Sequence, residues 1–560
     1  MKLVSLKDFI PRTFEVFSKK RGQGYSLKSL GKDCVSGFTV GIVALPLAMA
    51  FSIAAGGTPA QGLYTAIAAG FFISFLGGSK YQIGGPTGAF VVIIYGVIAR
   101  YGMGGLVVAT AMAGIILILM GISGLGRLIK YIPYPVTTGF TTGIGVLIFS
   151  QQIKDFFGLA IEKTSPEFFE SWGQYMELFP TLQPLTLGIG LGTLGIILLV
   201  RKLFPRLPAA VVGVMAVTLV CYFFALPTET IGTRFGGIPQ GLPAPAIPKI
   251  SWGMIRDLLP DTFTIALLAA IESLLSAVVA DSMTGDRHNA NMELVAQGVG
   301  NIAAAFMGGI PATGAIARTA TNIKAGAVSP VSGIIHSVTL VLFILLLAPA
   351  ASAIPLACLS AVLMMVAWDM SNLSRFTRII RRAPKSDAIV LLTTFVLTVV
   401  KDLTFAVEVG MILAVFLFLK RIIEVTGIRP GEKIADSEMV FESPGDSAGV
   451  LPEHPRNIEI YEITGPFFFG VADMLQHTLG SVAKKPSAFI LRMRDVPAVD
   501  ATGITALESF LVQCRHGKIR LIISEIREQP QRALEKAGFI ALLGPENVAV
   551  TLKEAIRRCS

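Results

Sequence analysis

The chain is poor in charged residues. Only 15% of its 560 residues are Asp, Glu, Lys or Arg, whereas soluble domains carry about 25%. Apolar blocks of about 20 residues recur from Val35 to Leu419, and each is long enough to cross the hydrocarbon core of a bilayer. The composition therefore excludes an ordinary soluble protein and predicts a polytopic membrane protein embedded in a lipid bilayer.

Cysteines are also scarce. The five cysteines are scattered along the chain, so their spacing excludes both a disulfide framework and a metal site. The chain has no G-x-x-x-x-G-K-[ST] run to bind ATP phosphates, and no motif places a His/Cys metal set or a Ser/His/Asp arrangement. We therefore expect neither an enzyme nor a primary pump, and no cofactor.

The charges that are present are mainly basic, and the net charge is +10. They do not indicate a nucleic-acid partner, because Lys and Arg lie mainly in short loops between apolar blocks, where the positive-inside rule places them. With the N-terminus inside, basic residues such as Lys80 and Arg287 fall in inner loops, and the loop with Glu167 and Glu170 falls outside. We expect a multi-pass protein of the inner (cytoplasmic) membrane with both termini in the cytoplasm. Residues 1–32 show no signal-peptide pattern.

The apolar blocks predict an all-α membrane domain with about fourteen transmembrane spans. The first seven lie near 33–55, 60–77, 82–99, 103–121, 134–153, 184–200 and 208–225, and the second seven near 259–280, 291–307, 312–325, 330–349, 354–370, 386–401 and 403–420. After Arg421 the composition becomes polar, and short β runs near 458–463, 488–493 and 520–526 alternate with helical patterns near 470–483, 503–515, 529–537 and 551–558. This alternation predicts a small α/β domain. The expected organisation is an N-terminal cytoplasmic segment at 1–32, a transmembrane domain at 33–421, a linker with the start of the C-terminal domain at 422–457, and that domain at 458–560.

Two interrupted segments share a signature. Gly84–Ala89 opens the third predicted span, Ile310–Ala315 opens the tenth, and both contain Thr-Gly-Ala. Because seven crossings separate the copies, the two halves of the membrane domain must be inverted relative to each other. Short segments broken by Gly and Pro at matched positions are typical of a transporter's binding site.

A half-helix that begins at mid-membrane directs unpaired N–H groups and the positive end of its dipole into the bilayer. Two facing helix starts therefore predict an anion site, built from backbone N–H groups and from the hydroxyls of Thr87 and Thr313. The alternative is that these Gly and Pro residues only permit tight helix packing. The candidate anion-binding residues are Thr87, Gly88, Ala89, Phe90, Thr313, Gly314, Ala315, Ile316 and Arg318.

Two charged residues lie inside predicted spans. Glu272 is in an apolar run of the eighth span, where a carboxylate is costly and a functional role is the default hypothesis. We expect it to carry the coupling ion, a proton or alternatively sodium, or to set the local charge; the alternative is a structural carboxylate bonded to a neighbouring helix. Arg318 could give the anion a paired positive charge, and its alternative is a snorkelling or inter-helix arginine.

Other polar residues have more ordinary interpretations. A gating or loop network is expected at the inner end of the eighth span, formed by Asp281, Asp286, Arg287 and His288. His336 is expected to be an interior histidine with satisfied hydrogen bonds. Leu373–Arg382 is a basic amphipathic helix of the kind that lies on an inner leaflet.

The motifs from Gly37 onward resemble the SulP family of anion transporters. Pro59–Tyr64, after Pro46–Ala50, resembles the family signature at the first two spans, and Arg287–Leu294 resembles the loop after the eighth. Runs around Pro86–Tyr95 and Ala315–Lys324 are similar to the family's aerobic C4-dicarboxylate transporter of enteric bacteria. The resemblance implies a seven-plus-seven inverted repeat with core and gate subdomains, a homodimer, elevator-like movement, and a substrate between the third and tenth spans.

The tail resembles a STAS domain, the fold of anti-sigma factor antagonists. Asp495–Gly503 resembles its signature loop, in which the antagonists carry a phosphorylated Ser, and Thr502 stands at the matching place here. A hydroxyl at a helix N-terminus could host a regulatory phosphate; the alternative is an ordinary Thr cap. The tail could also bind a cytoplasmic protein partner.

Together these features predict a secondary active transporter of small anions, of the sulfate, C4-dicarboxylate or bicarbonate class. The alternatives are an anion channel and an anion-binding sensor that signals through the STAS domain.

Overall fold

The computed structural model describes residues 9–17, 25–127, 133–161, 164–165, 167–205, 207–243, 251–401, 403–430, 458–468 and 486–559. The chain divides into two compact units, Met1–Ala414 and Val415–Ser560. The division falls inside a long helix, slightly before the boundary at 421–422 expected from composition. Of the stretch 422–457, expected to hold the linker and the start of the C-terminal domain, residues 431–457 lie outside the described residues, and so does the helical pattern near 470–483.

The first unit is helical. Its elements are α1 (Arg12–Phe17), α2 (Leu27–Ala54), α3 (Pro59–Leu76), β1 (Gly84–Gly85), α4 (Val91–Ile122), α5 (Tyr134–Gln151), α6 (Ile153–Phe157), α7 (Phe168–Glu177), α8 (Pro184–Leu203), α9 (Ala209–Phe223), α10 (Ile231–Phe235), α11 (Trp252–Thr284), α12 (Ala290–Phe306), β2 (Thr313–Gly314), α13 (Ile316–Lys324), α14 (Val331–Ala351), α15 (Leu356–Ser371), α16 (Leu373–Arg382), α17 (Lys385–Val400) and α18 (Leu403–Val425), the last of which continues into the second unit.

Local sequence signals fix several helix starts. Thr58 and Gln61 form a capping box at α3, and Ser26, Ser251 and Asn289 cap α2, α11 and α12 by accepting a backbone N–H. Such caps satisfy N–H groups that have no partner inside the helix.

Seven helical segments among the described residues are long and apolar enough to cross a membrane. They are Leu27–Ala54, Pro59–Leu76, Gly88–Ile122, Pro184–Leu203, Trp252–Thr284, Val331–Ala351 and Leu356–Arg382, and Ala209–Phe223 is a shorter apolar helix. The spans expected at 82–99 and 103–121 correspond to the two parts of α4, which meet at a kink where Gly102 has a non-helical φ of 67°. The mostly helical, multi-pass architecture is thus as expected, and the count of fourteen spans stays a prediction.

The membrane helices pack in two groups, and each group takes helices from both halves of the chain. In the first, α4 packs on α11 and α12, while α14 packs on α2 and α3; in the second, α5 packs on α15 and α17, and α8 on α9 and α15. In the first group α4 and α12 cross at Gly114 and Gly298. A Cβ on Gly298 would lie 2.4 Å from the Gly114 carbonyl oxygen, so only glycine permits this approach.

The second unit contains a five-stranded sheet in the order β3 (Gly427–Pro430), β4 (Ile458–Thr464), β5 (Ala488–Asp495), β6 (Arg520–Ser524) and β7 (Val548–Ala549). Strand β3 pairs antiparallel with β4, and the remaining pairs are parallel. The helices are α19 (Ala501–His516), α20 (Glu528–Lys536), α21 (Phe539–Leu543) and α22 (Leu552–Cys559). Phe467, Phe489 and Phe510 are fully buried in the core of this unit, which confirms the small α/β domain.

Candidate functional site

The two interrupted segments meet inside the membrane domain. Gly84 pairs with Gly314 and Gly85 with Thr313, so β1 and β2 form a two-residue antiparallel ribbon. The ribbon is extended by a hydrogen bond from the Ala315 N–H to the Ile83 carbonyl oxygen at 2.9 Å. Non-helical backbone at membrane depth must satisfy its polar groups within the protein, and the ribbon does so for these residues.

The ribbon is closely packed on both sides. A Cβ on Gly314 would lie 1.7 Å from Gln82 Nε2, and a Cβ on Gly85, whose φ is +148°, would lie 2.5 Å from Arg318 Nη1. A side chain at Gly314 would therefore collide with the Gln82 amide. At Gly85 a side chain would collide with Arg318, and the positive φ also favours glycine.

A helix starts immediately after each strand of the ribbon. A 3-10 turn at Gly88–Phe90 leads into α4, and α13 begins at Ile316; neither start has a side-chain cap. Ile316, the first residue of α13, is 37% exposed. Gly88 packs against Ile148 and Met370 of the second group of helices, which places the helix starts at the boundary between the two groups.

Two backbone donors assigned to the anion by sequence are used within the fold. The Phe90 N–H donates to the Thr87 carbonyl oxygen at 3.2 Å, and the Ala315 N–H donates to Ile83. The Thr313 hydroxyl likewise donates to the Ala269 carbonyl oxygen at 2.9 Å. In this conformation these three groups hold the ribbon together rather than offering hydrogens to a ligand.

Several buried polar side-chain atoms beside the ribbon have no hydrogen-bond partner among the described residues. They include the hydroxyl oxygen of Thr87, Nη1 of Arg318 and Oε1 of Gln82, of which the first two can donate a hydrogen bond and the third only accepts. Arg318 is 3% exposed, and its Nη2 donates to the Pro86 carbonyl oxygen. This burial does not fit the snorkelling alternative, whereas the inter-helix alternative is met in part: the arginine bridges the two broken segments and keeps one donor free. A buried unpaired donor is costly unless a ligand or water satisfies it.

Glu272 lies on α11 next to the ribbon. Ala269, one turn away, accepts the Thr313 hydroxyl, and the carbonyl of Ser273 accepts Gln82 Nε2 at 3.0 Å. The Glu272 side chain is 8% exposed, and its carboxylate has no hydrogen bond or ion pair in the described part of the chain. The alternative of a carboxylate bonded to a neighbouring helix is therefore wrong.

Several residues that support the ribbon were missed by sequence analysis. The side-chain amide of Asn301 accepts the Ala312 N–H at 2.9 Å and donates to the Ala312 carbonyl oxygen at 2.8 Å, so it pairs with Ala312 as a strand would. Thr65 accepts the Ile310 N–H at 2.7 Å, and Thr319 accepts the Ile83 N–H at 3.1 Å. The available signal was the stripe Glu293, Gln297 and Asn301, which repeats every four residues on one face of an apolar helix.

The expected loop network at the end of α11 is present. His288 Nδ1 lies 2.7 Å from Asp281, Lys80 pairs with Asp286 at 2.5 Å, and buried Glu293 accepts the N–H groups of Gly78 and Ser79. Burial would raise the pKa of the Asp286 carboxyl, but the Lys80 ammonium and the Arg287 N–H lower it below its ordinary value. The loops after α3 and α11 are therefore tied together.

Two other expectations need correction. His336 is fully buried, yet neither ring nitrogen has a hydrogen-bond partner among the described residues, so it is not a satisfied interior histidine. Thr502 is not the cap of its helix: Asp500 is, because its Oδ1 accepts the Gly503 N–H at 2.8 Å. Thr502 is exposed in the first turn, which leaves its hydroxyl accessible.

Comparisons with known proteins agree with this architecture. A family model described as the sulfate permease family matches residues 30–394, and one described as the STAS domain matches residues 450–555. The putative sulfate transporter YvdB of Bacillus subtilis is 41% identical over 529 residues, which cover 94% of this chain and 97% of that protein. The bicarbonate transporter BicA of Synechocystis is 30% identical, and the match covers 95% of this chain and 94% of that protein.

Solved structures are similar as well. The transmembrane domain of a cyanobacterial bicarbonate transporter BicA is 31% identical, with a TM-score of 0.61 over 70% of this chain and 98% of that one. The murine Slc26a9 anion transporter in its inward-facing state has a TM-score of 0.85 over 100% of this chain and 96% of that one. Because the sequence identity is only 17%, the similarity to Slc26a9 shows the fold and nothing more.

Proposed function

We propose that this chain, which belongs to the sulfate permease family and ends in a STAS domain, is a secondary active transporter of a small oxyanion or carboxylate. Family membership rests on the model that matches residues 30–394, and the relatives are transporters rather than enzymes. Their printed names point to sulfate and bicarbonate as the first substrates to test, and C4-dicarboxylates stay in the set because of the sequence likeness around the two broken segments.

The observation that carries the proposal is the pair of unpartnered donors beside the ribbon. The Thr87 hydroxyl and Arg318 Nη1 are buried without hydrogen-bond partners in the described structure, at the point where two uncapped helix starts converge. An anion there would gain a cation, a hydroxyl and the positive ends of two helix dipoles. The remaining candidates, Gly88, Ala89, Gly314 and Ile316, would contribute backbone N–H groups.

Glu272 is proposed as the coupling group. Its carboxylate lies one turn from the residue that anchors β2, and it has no cationic partner among the described residues. An unpaired carboxylate inside a membrane is stabilised by binding a proton or another cation. A proton taken up with the anion would also offset part of the negative charge that moves across the bilayer.

Movement of the first group of helices against the second is the proposed transport step. The helix starts lie at the boundary of the two groups, with Gly88 against Ile148 and Met370. Sliding of one group past the other would therefore carry the anion between the two sides of the membrane, as in an elevator. We further propose the inner membrane as the location, cytoplasmic termini, a homodimer, and a regulatory role for the STAS domain through Thr502 or a protein partner.

Uptake into proteoliposomes tests the proposal. Labelled sulfate, bicarbonate and succinate are compared with and without an inward proton gradient, and saturable accumulation of one of them above its equilibrium level is the expected result. Flux that only dissipates a gradient would indicate a channel. Anion binding without any flux would indicate a sensor.

Neutralisation of Glu272 tests the coupling role. Glu272→Gln is expected to retain anion binding but to lose acceleration by the proton gradient, because glutamine cannot take up the proton. Glu177→Gln, at an exposed helix end, is the matched control and should behave as the wild type. Equal stimulation of the Glu272 variant and the wild type by the gradient would remove Glu272 from this role.

A further inference from the structure

A surface helix of the membrane domain carries charge of one sign. Helix α16 contains four arginines, Arg375, Arg378, Arg381 and Arg382, and no acidic residue. All four side chains are exposed, and exposed Lys385 follows at the start of α17. Five cations therefore lie within eleven residues next to an apolar span.

The backbone separates this helix from the span before it. Helix α15 is largely buried and ends at Ser371, and Asn372 adopts the left-handed conformation with φ 36° and ψ 52°. Asparagine is one of the few residues with a side chain that visits this region readily. The chain turns at Asn372, so α16 is a distinct helix and not a continuation of α15.

One face of α16 is fixed to the domain. Ile379 is buried, the rings of Phe376 and Phe395 lie 5.2 Å apart, and the Arg375 guanidinium lies 5.6 Å from the ring centre of Tyr134. These contacts attach the helix to α5 and α17.

The edge of α16 next to this fixed face carries exposed apolar residues. Leu373 and Ile380 are 45% and 39% exposed, beside the arginines. This combination is typical of a helix at the boundary between acyl chains and headgroups. The place of these apolar residues at the end of a membrane span favours a lipid as the occupant, because acyl chains cover apolar side chains there.

The described residues do not neutralise the positive charge of α16. Arg378, Arg381 and Arg382 form no ion pair or hydrogen bond in the described part of the structure. Asp369, the acidic residue nearest before them, already accepts two hydrogen bonds from Arg201, at 3.1 and 2.5 Å. Planar guanidinium groups without partners match the paired oxygens of a phosphate.

We propose that α16 is a binding surface for anionic glycerophospholipids, with Arg378, Arg381 and Arg382 on the headgroup phosphates and Leu373 and Ile380 against the acyl chains. Clusters of four to eight basic residues beside a span recognise acidic headgroups in this way. This surface is separate from the ribbon. The proposal therefore does not depend on which anion is transported.

Lipid binding by the full-length protein tests this surface. The purified chain is titrated with phosphatidylglycerol or phosphatidylcholine in neutral detergent, and retained lipid is counted by native mass spectrometry while the midpoint of thermal unfolding is followed. The variant Arg378→Gln, Arg381→Gln, Arg382→Gln keeps Arg375 because of its contact with Tyr134. Its matched control is Lys518→Gln, Lys536→Gln, Lys553→Gln, which removes three exposed charges from the second unit.

The wild type and the lysine control are expected to retain phosphatidylglycerol over phosphatidylcholine, and the arginine variant to lose this preference by about tenfold or more. Equal retention of the two lipids by the wild type would overturn the proposal, as would an unchanged preference in the arginine variant. Equal destabilisation of that variant in both lipids, without a change in preference, would also overturn the proposal, because it would assign the arginines to a structural role. None of these readouts requires transport, so they remain decisive if the transport proposal fails.

Discussion

At the scale of single residues, the two threonines beside the ribbon differ in their hydrogen bonds. The Thr313 hydroxyl donates to the Ala269 carbonyl oxygen, whereas the hydroxyl oxygen of Thr87 is buried without a partner among the described residues. The same side chain is thus used for structure at one position and is free for a ligand at the other.

Replacement of each threonine by valine should separate these roles. Thr87→Val removes no hydrogen bond from the empty protein, so the unfolding midpoint should hold. The KM for the anion should rise by about tenfold to a hundredfold, the value of one hydrogen bond to a charged group. Thr313→Val should instead lower the free energy of unfolding by about 1–2 kcal/mol, because it leaves the contact of β2 with α11 unmade. Uptake kinetics and thermal unfolding in detergent measure the two effects. The reverse pattern would mean that Thr313, not Thr87, contacts the anion.

The residues of the candidate site could be predicted in part from sequence. Gly85, Gly314 and Arg318 stand out because Gly/Pro breaks and a charge are unusual in apolar spans. The hydrogen-bond partners of these segments were not predictable, because Asn301 and Thr65 form hydrogen bonds with residues that are distant in sequence. A lone polar residue in a helix reveals that it needs a partner but not which one.

At the scale of elements, the crossing of α4 and α12 depends on two glycines. A methyl group on Gly298 would lie 2.4 Å from the Gly114 carbonyl oxygen, so Gly298→Ala must push the helices apart. We expect a loss of about 1–3 kcal/mol in the free energy of unfolding, measured as a lower unfolding midpoint. Gly192→Ala on α8 is the control: nothing lies within 4 Å of its Cβ, and alanine favours a helix there. A Gly298 variant as stable as this control would show that the crossing is loose.

Element prediction succeeded where the pattern was long and failed where it was short. Predicted spans near 33–55, 60–77 and 330–349 correspond closely to α2, α3 and α14, because about 20 apolar residues leave few alternatives. The strands β1, β2 and β7 have two residues each and carry no periodicity. They exist because distant segments pair, and that information is not local.

At the scale of the whole molecule, the α/β domain begins with β3, inside the stretch 422–457 for which composition predicts a linker and the start of that domain. Strand β3 follows α18 with only Thr426 between them, and it pairs with β4 across the stretch from 431 to 457. Composition did not reveal the strand β3 in this stretch, because Pro, Gly and charged residues are frequent both in a linker and in a short edge strand.

The position of β3 decides how the gene can be divided. A fragment cloned from Ile458 would leave out Gly427–Pro430 and expose the hydrogen-bonding edge of β4, an open template for association. Such a fragment should form oligomers in size-exclusion chromatography, whereas one cloned from Gly427 should elute as a monomer; equal behaviour of the two would show that β3 is dispensable. An exchange of tails between homologues has the same requirement: the splice belongs inside α18, so that a strand and its neighbour are inherited together.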